Sequence, residues 1–69
     1  MDAATLEMVL TAYDETVQDA VAGGNSDAVA HAEGLTAAAM LFAAVTGVED
    51  AAAHAAVEGI NPRARLAAA

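Results

Sequence analysis

The stretch from Ala3 to Ala22, "AATLEMVLTAYDETVQDAVA", decides the fold, because its apolar residues recur at spacings of three and four. That periodicity is typical of one face of an α-helix, with polar residues opposite. Asp2 precedes the stretch as a helix cap, and the glycines in "GGN" (23–25) follow it as a stop. We therefore expect a long amphipathic first helix. Its apolar positions are Leu6, Val9, Leu10, Tyr13, Val17, Ala20 and Val21.

A second helix is expected to begin at Ser26 or Asp27 and to run to about Thr46. Its second half, "LTAAAMLFAAV", places large apolar side chains around most of the helix circumference, which predicts burial on nearly all sides. Such a helix is either the central element of a bundle or an oligomer interface. Gly34 lies inside it at a cost of about 1 kcal/mol relative to alanine, and close packing of another helix would explain the glycine.

The remainder predicts two short helices. Thr46 and Glu49 stand in the spacing of a capping box, which predicts a third helix over Val48–Glu58 with Gly59 as its stop. Pro62 suits the first position of a short fourth helix. The fold class is therefore all-α, a small bundle of about four helices in which residues 1–69 form a single domain.

The composition predicts a thin core. The chain has 69 residues and no cysteine, and 58% of its residues are hydrophobic, many of them the 22 alanines. A core of this size contributes only about 3–5 kcal/mol, so association with another copy or a partner is the expected remedy. Tyr13 and Phe42, the only aromatic residues, are the natural anchors. The candidate core or interface residues are Leu6, Leu10, Tyr13, Val17, Leu41, Phe42 and Val45.

The charge excludes several classes of partner. Ten acidic residues and two arginines give a formal net charge of −8, and lysine is absent. Such a chain repels phosphate backbones and anionic lipid surfaces, so no nucleic acid and no membrane is expected as a partner. The uncharged run from Gly34 to Val48 is shorter than the roughly 20 residues that span a bilayer, and the N-terminus is acidic. We expect a soluble, cytoplasmic protein.

Two similar segments raise the alternative of a metal site. Asp27 precedes His31 by four residues, and Asp50 precedes His54 by four. Residues four apart share a helix face, so two adjacent helices could offer four ligands. The same letters also fit two helix starts, where an aspartate in the first turn is favoured by the helix dipole. A metal-binding helical protein is therefore the lesser alternative, and no cofactor is expected.

The two arginines stand apart from the acidic body of the chain. If Pro62 begins a helix, Arg63 and Arg65 lie near its positive end, where the dipole disfavours cations. Carboxylates of the same chain or of a neighbouring copy would stabilise them. We therefore expect the C-terminal segment to dock on an acidic surface.

No nucleophile motif or phosphate-binding loop appears, so we expect no enzymatic activity and no catalytic residue. The expected function is protein interaction or assembly, with self-association. The alternative is an acidic inhibitor, as phages and mobile elements encode, that occupies a basic, nucleic-acid-binding surface of a partner protein. The acidic surface would comprise Glu7, Asp14, Glu15, Asp19, Glu49 and Asp50.

Overall fold

The computed structural model describes all 69 residues and is all helical. The helices are α1 (Ala3–Ala22), α2 (Asp27–Thr46), α3 (Asp50–Ile60) and α4 (Pro62–Ala68). The last two are pieces of one bent segment, because Asn61 between them has the left-handed φ of 50°. The expected small helical bundle is thus confirmed, with three helices when the bent pair is counted as one.

Local hydrogen bonds explain where the first two helices begin. The Asp2 carboxylate accepts from the backbone N–H of Thr5 at 2.8 Å, and the Ser26 hydroxyl accepts from that of Val29 at 3.2 Å. Both bonds satisfy amides that the first turn leaves without a partner. Gly24 takes the positive φ of 94° that the turn between the helices requires. The predicted bounds of α1 and α2 are confirmed.

The capping box between α2 and α3 was a wrong prediction. The Thr46 hydroxyl donates back to the carbonyl of Phe42 at 2.7 Å, so Thr46 ends α2 and does not begin α3. Gly47 then takes the left-handed conformation with φ of 77°, and Glu49 precedes α3 without a side-chain cap. The third helix therefore starts at Asp50, two residues later than predicted.

The end of α3 also differs from the prediction. Gly59 lies inside the helix, which continues to Ile60 and stops at the left-handed Asn61. Pro62 then occupies the first turn of α4, as predicted, and is fully buried. The bend therefore comes from Asn61, and Pro62 fixes the start of the next helical piece.

The core consists of the Tyr13 ring and of alanine and valine side chains from three helices. Gly34 is buried against the Tyr13 ring, so close packing is the reason for this glycine, as predicted. Around the core lie half-buried Val17, Leu35, Phe42, Ile60 and Leu66. The core residues are Val9 and Tyr13 of α1, Ala38 and Ala39 of α2, and Ala53 and Val57 of α3.

Helix α2 is central, since it packs against both α1 and α3. It is not, however, buried on nearly all sides. Its buried residues are the small ones, Ala30, Gly34, Ala38 and Ala39. Small side chains let the neighbouring helices approach closely on that side, and several large apolar side chains of α2 are left at the surface.

Candidate interaction surface

One exposed stripe runs along α2 and is called the α2 ridge below. It consists of Val29, Glu33, Thr36, Met40 and Ala44, which are all exposed and follow one another at spacings of three and four. Residues at those spacings lie on one helix face. Met40 stands at its centre and is 67% exposed, the largest exposure among the large apolar side chains. From Thr36 onward the ridge carries no charge.

Two shallow grooves flank the ridge. The groove toward α3, of about 650 Å³, is lined by the small side chains of Ala39 and Ala43 and by Val48. Asp50 and His54 of α3 line the same groove. The groove toward α1, of about 420 Å³, brings Thr16 beside Met40 and Glu33. Met40 borders both grooves and therefore projects between them.

A third groove lies along α1. It has a volume of about 570 Å³ and contains Met8, which is 46% exposed, together with Ala12 and half-buried Leu41. Glu7 and Glu15 line the same groove. The exposed Met8 side chain therefore has carboxylates beside it.

The structure separates the seven predicted core or interface residues by exposure. Tyr13 belongs to the core. Val45 is 47% exposed and lies at the surface. The other five, Leu6, Leu10, Val17, Leu41 and Phe42, are half-buried.

Sequence reasoning missed Met8 and Met40 as surface residues. Apolar residues surround Met40 on all sides of its helix, so the periodicity of the sequence could not predict which way its side chain faces. Met8 lies three residues before Thr11 and seven before Glu15, and this spacing was the signal that could have placed it on a polar, exposed face.

The acidic residues do not gather into a single patch. Glu7 and Glu15 lie beside Met8 on α1, whereas Asp50 lies beside the groove toward α3. The Asp14 carboxylate accepts a hydrogen bond from the Gln18 amide at 2.8 Å. Asp19 and Glu49 are exposed. Asp50 therefore lies beside the α2 ridge on the α3 side, whereas Glu7 and Glu15 line a different groove on α1.

A polar cluster joins the beginning of α4 to the two long helices. The Tyr13 hydroxyl lies 2.6 Å from Nδ1 of His31, to which it donates when the ring proton is on Nε2, and the two rings meet edge to face. Arg63 forms an ion pair with Asp27 at 3.1 Å. The Tyr13 side chain and, to a smaller extent, the Asp27 carboxylate raise the pKa of Arg63.

Arg65 has a different partner from Arg63. Its Nε donates to the carbonyl oxygen of Ile60 at 2.9 Å. That carbonyl belongs to the last turn of α3, where backbone oxygens have no helical partner. One arginine thus contacts a carboxylate, and the other contacts the negative end of a helix.

The four residues of the metal alternative do not converge. Asp27 pairs with Arg63, and His31 contacts Tyr13. His54 pairs with Glu58 one turn later at 3.1 Å. No three acidic or histidine side chains come together in a way that could hold a metal ion. The metal-binding hypothesis is therefore not supported by the geometry.

Comparisons with known proteins add nothing to the geometry: no protein-family model, curated protein or solved structure matches the chain.

Helix α2 also has the length and the apolar composition of a membrane-spanning helix. By length and composition alone, Asp27–Thr46 could cross a bilayer. A single helix of this kind is weak evidence for a membrane span, since the central helix of a soluble bundle has the same length and composition.

Proposed function

We propose that this chain is a non-enzymatic protein-interaction protein that assembles with further copies of itself through the α2 ridge. The observation that carries the proposal is the 67% exposure of Met40 at the centre of a helix face that has no charge from Thr36 onward. Exposed apolar surface with a polar border is typical of protein interaction sites. The thin, alanine-rich core supports the same conclusion, because small domains often gain stability from association.

The net charge of −8 opposes association of two copies, so burial of apolar side chains must offset it. Full burial of a methionine or valine side chain is favourable by about 1.5–3 kcal/mol. Two like charges 10 Å apart in water repel each other by about 0.4 kcal/mol, before salt screens them. Burial of Met40 therefore exceeds the repulsion between any one pair of bordering carboxylates.

The test is sedimentation equilibrium of the untagged chain over a range of concentrations, in low and high NaCl. We expect a concentration-dependent mass above that of the monomer, and we expect salt to strengthen association by screening the acidic borders. The variant Met40→Lys should sediment as a monomer, because each copy would bring a charge to the centre of the contact. Met40 is largely exposed, so this change leaves the monomer fold intact.

Val21→Lys is the matched control. Val21 is 51% exposed, lies at the end of α1 and lines none of the three grooves. The Val21→Lys variant carries the same added charge as Met40→Lys, and it should associate like the unaltered protein. A monomeric mass for the unaltered chain at every concentration would contradict the proposal. The proposal would also be contradicted if the monomeric chain bound neutral phospholipid vesicles and floated with them, because the ridge would then face lipid.

The unpaired carboxylates support the alternative function, an acidic inhibitor of a basic protein. Both arginines have partners within the chain, and among the ten acidic residues only Asp27 and Glu58 pair with a cationic or titratable nitrogen. The outer surface therefore presents unpaired carboxylates to a basic protein.

Salt separates the two candidates. An acidic surface on a basic partner loses affinity as salt rises, whereas association of two acidic copies gains affinity. Competition with duplex DNA for a basic DNA-binding protein tests the inhibitor directly. We would expect displacement of DNA at low salt, and displacement should weaken in a Glu7→Gln, Glu15→Gln variant. Unchanged DNA binding would contradict this candidate.

A further inference from the structure

We infer that the third groove, along α1, binds an amphipathic helix of another protein that carries lysine or arginine beside its apolar face. The inference goes beyond self-association, because the third groove and the α2 ridge have no residue in common. A helix of this kind lays its apolar face into an apolar groove and its cations against the acidic edge of that groove. The third groove offers both features.

Two rows of side chains on α1 divide the groove into an apolar and a polar part. The members of each row are four residues apart: Ala4, Met8 and Ala12 form the apolar row, and Glu7, Thr11 and Glu15 form the polar row. Residues at that spacing lie along one helix face, so the two rows run side by side. Met8, the largest side chain of the apolar row, is 46% exposed. Half-buried Leu41 of α2 lines the groove as well.

The chain itself offers no cation to the carboxylates of this groove. Glu7 and Glu15 are exposed and take part in no ion pair. The only basic residues, Arg63 and Arg65, contact Asp27 and a backbone carbonyl of α3. A second copy has the same net charge of −8 and no spare cation. The complementary charges therefore come from a different, basic protein.

The dimensions of the groove specify the helix. From Ala4 to Glu15, α1 rises about 17 Å, which is about three turns of helix. Glu7 and Glu15 are eight residues apart in the sequence, or about 12 Å along α1. A helix that lies alongside α1 therefore reaches both carboxylates with two cations that are about seven or eight residues apart. Cations at that spacing lie along one edge of an amphipathic helix, which leaves its apolar face free to cover Met8.

Synthetic peptides test the inference. The first is an amphipathic helix of about 18 residues, with leucines on one face and two lysines at its edge at the spacing given above. The second has the same composition in scrambled order, and the third has glutamate in place of lysine. Fluorescence anisotropy measures binding of each labelled peptide to the unaltered chain in low and high NaCl. We expect the first peptide to bind most tightly, with an affinity that falls as salt rises. No binding of it at low salt would overturn the inference.

NMR of the methionine methyl groups locates the bound peptide. The chain has three methionines, Met1, Met8 and Met40, so isotope labelling gives one methyl signal for each. Binding of the first peptide should shift the signal of Met8 and leave that of Met40 in place. A shift of the Met40 signal without one of Met8 would place the peptide on the α2 ridge, and the inference would be wrong.

Three variants separate the groove from the general acidity of the chain. Met8→Gln should weaken binding of the first peptide by about tenfold, because the central apolar contact is lost. Glu7→Gln with Glu15→Gln should weaken it several-fold and reduce its dependence on salt. The matched control is Asp19→Asn with Glu49→Gln, which removes two exposed carboxylates that line none of the three grooves. Equal losses of affinity in the two double variants, or no loss in Met8→Gln, would show that the peptide binds the acidic surface without the groove.

Discussion

Gly34 lies so close to the ring of Tyr13 that a Cβ atom at residue 34 would stand 2.8 Å from Cδ2 of the ring and 2.7 Å from Cγ2 of Val17. The ring is buried, and its hydroxyl contacts His31. It therefore has little freedom to move away. The contact fixes the distance between α1 and α2 along the middle of the bundle.

The variant Gly34→Ala should therefore be less stable. Overpacking of a core costs about 1–3 kcal/mol, whereas alanine gains about 1 kcal/mol of helix propensity, so the expected net effect is a loss of up to about 2 kcal/mol in the free energy of unfolding. Urea titration followed by circular dichroism measures it.

Gly59→Ala is the matched control for this prediction. Gly59 lies inside α3, and an added Cβ there would meet nothing within 4 Å. Helix propensity alone then acts, and stability should rise by up to about 1 kcal/mol. Equal effects of the two substitutions would contradict the packing role assigned to Gly34.

The bond between Tyr13 and His31 should contribute measurably to stability. Tyr13 is 3% exposed, and its hydroxyl lies 2.6 Å from Nδ1 of His31. Tyr13→Phe removes one partner of a partly buried hydrogen bond and should cost about 0.5–1.5 kcal/mol in the free energy of unfolding. A double-mutant cycle with His31→Leu measures the coupling, and strictly additive effects would show that the bond adds no stability.

How much of this fold the sequence predicts depends on how local each signal is. The caps Asp2 and Ser26 act within three residues, and both helices that they begin were placed correctly. The corner at Thr46 failed because two local motifs compete there. The Thr46 hydroxyl donates to the carbonyl of Phe42, and Gly47 ends α2 before Glu49 can form a capping box.

The candidate interaction surface was harder to predict, and the reason is physical. A helix that is apolar all round gives no direction to its hydrophobic face, so the large side chains of α2 were expected inside. Gly34 and Ala38 instead allow close approach on one face, and Met40 is left outside. Only packing in three dimensions determines that choice. The contact of Tyr13 with His31 spans 18 residues and has no sequence signal either.

The N-cap of α1 should make stability depend on pH in acid. The backbone N–H of Thr5 donates to the Asp2 carboxylate and lowers the pKa of Asp2 below its ordinary 3.8. A group with a lowered pKa in the folded state stabilises the fold above its ordinary pKa. That contribution is lost as the pH falls through the lowered pKa.

Asp2→Asn is the matched variant for this effect, because asparagine can still cap the helix but carries no charge. We expect the unaltered chain to melt at a higher temperature than the variant at pH 7, and the difference to vanish well below pH 3.8. Thermal melts between pH 7 and pH 2 measure it. A difference that stays constant over this range would show that the charge of Asp2 does not stabilise α1.

Added NaCl should raise the melting temperature of the folded chain. Among the ten acidic residues only Asp27 and Glu58 have a cationic or titratable partner, so the remaining carboxylates repel one another across a small surface. The Debye length falls from about 10 Å at 0.1 M salt to about 3 Å at 1 M, which removes most of this repulsion. Chloride is the suitable anion, because sulfate also strengthens apolar burial and would confuse the two effects.

The control for the salt effect is a variant with fewer carboxylates on the outer surface of α1. Glu7→Gln with Glu15→Gln removes two unpaired charges and should melt with a shallower dependence on NaCl than the unaltered chain. Both are measured at one low protein concentration, because association itself raises the melting temperature with concentration. If the melting temperature instead falls with NaCl, attractive ion pairs such as Arg63 with Asp27 outweigh the repulsion, and the acidic surface does not destabilise the fold.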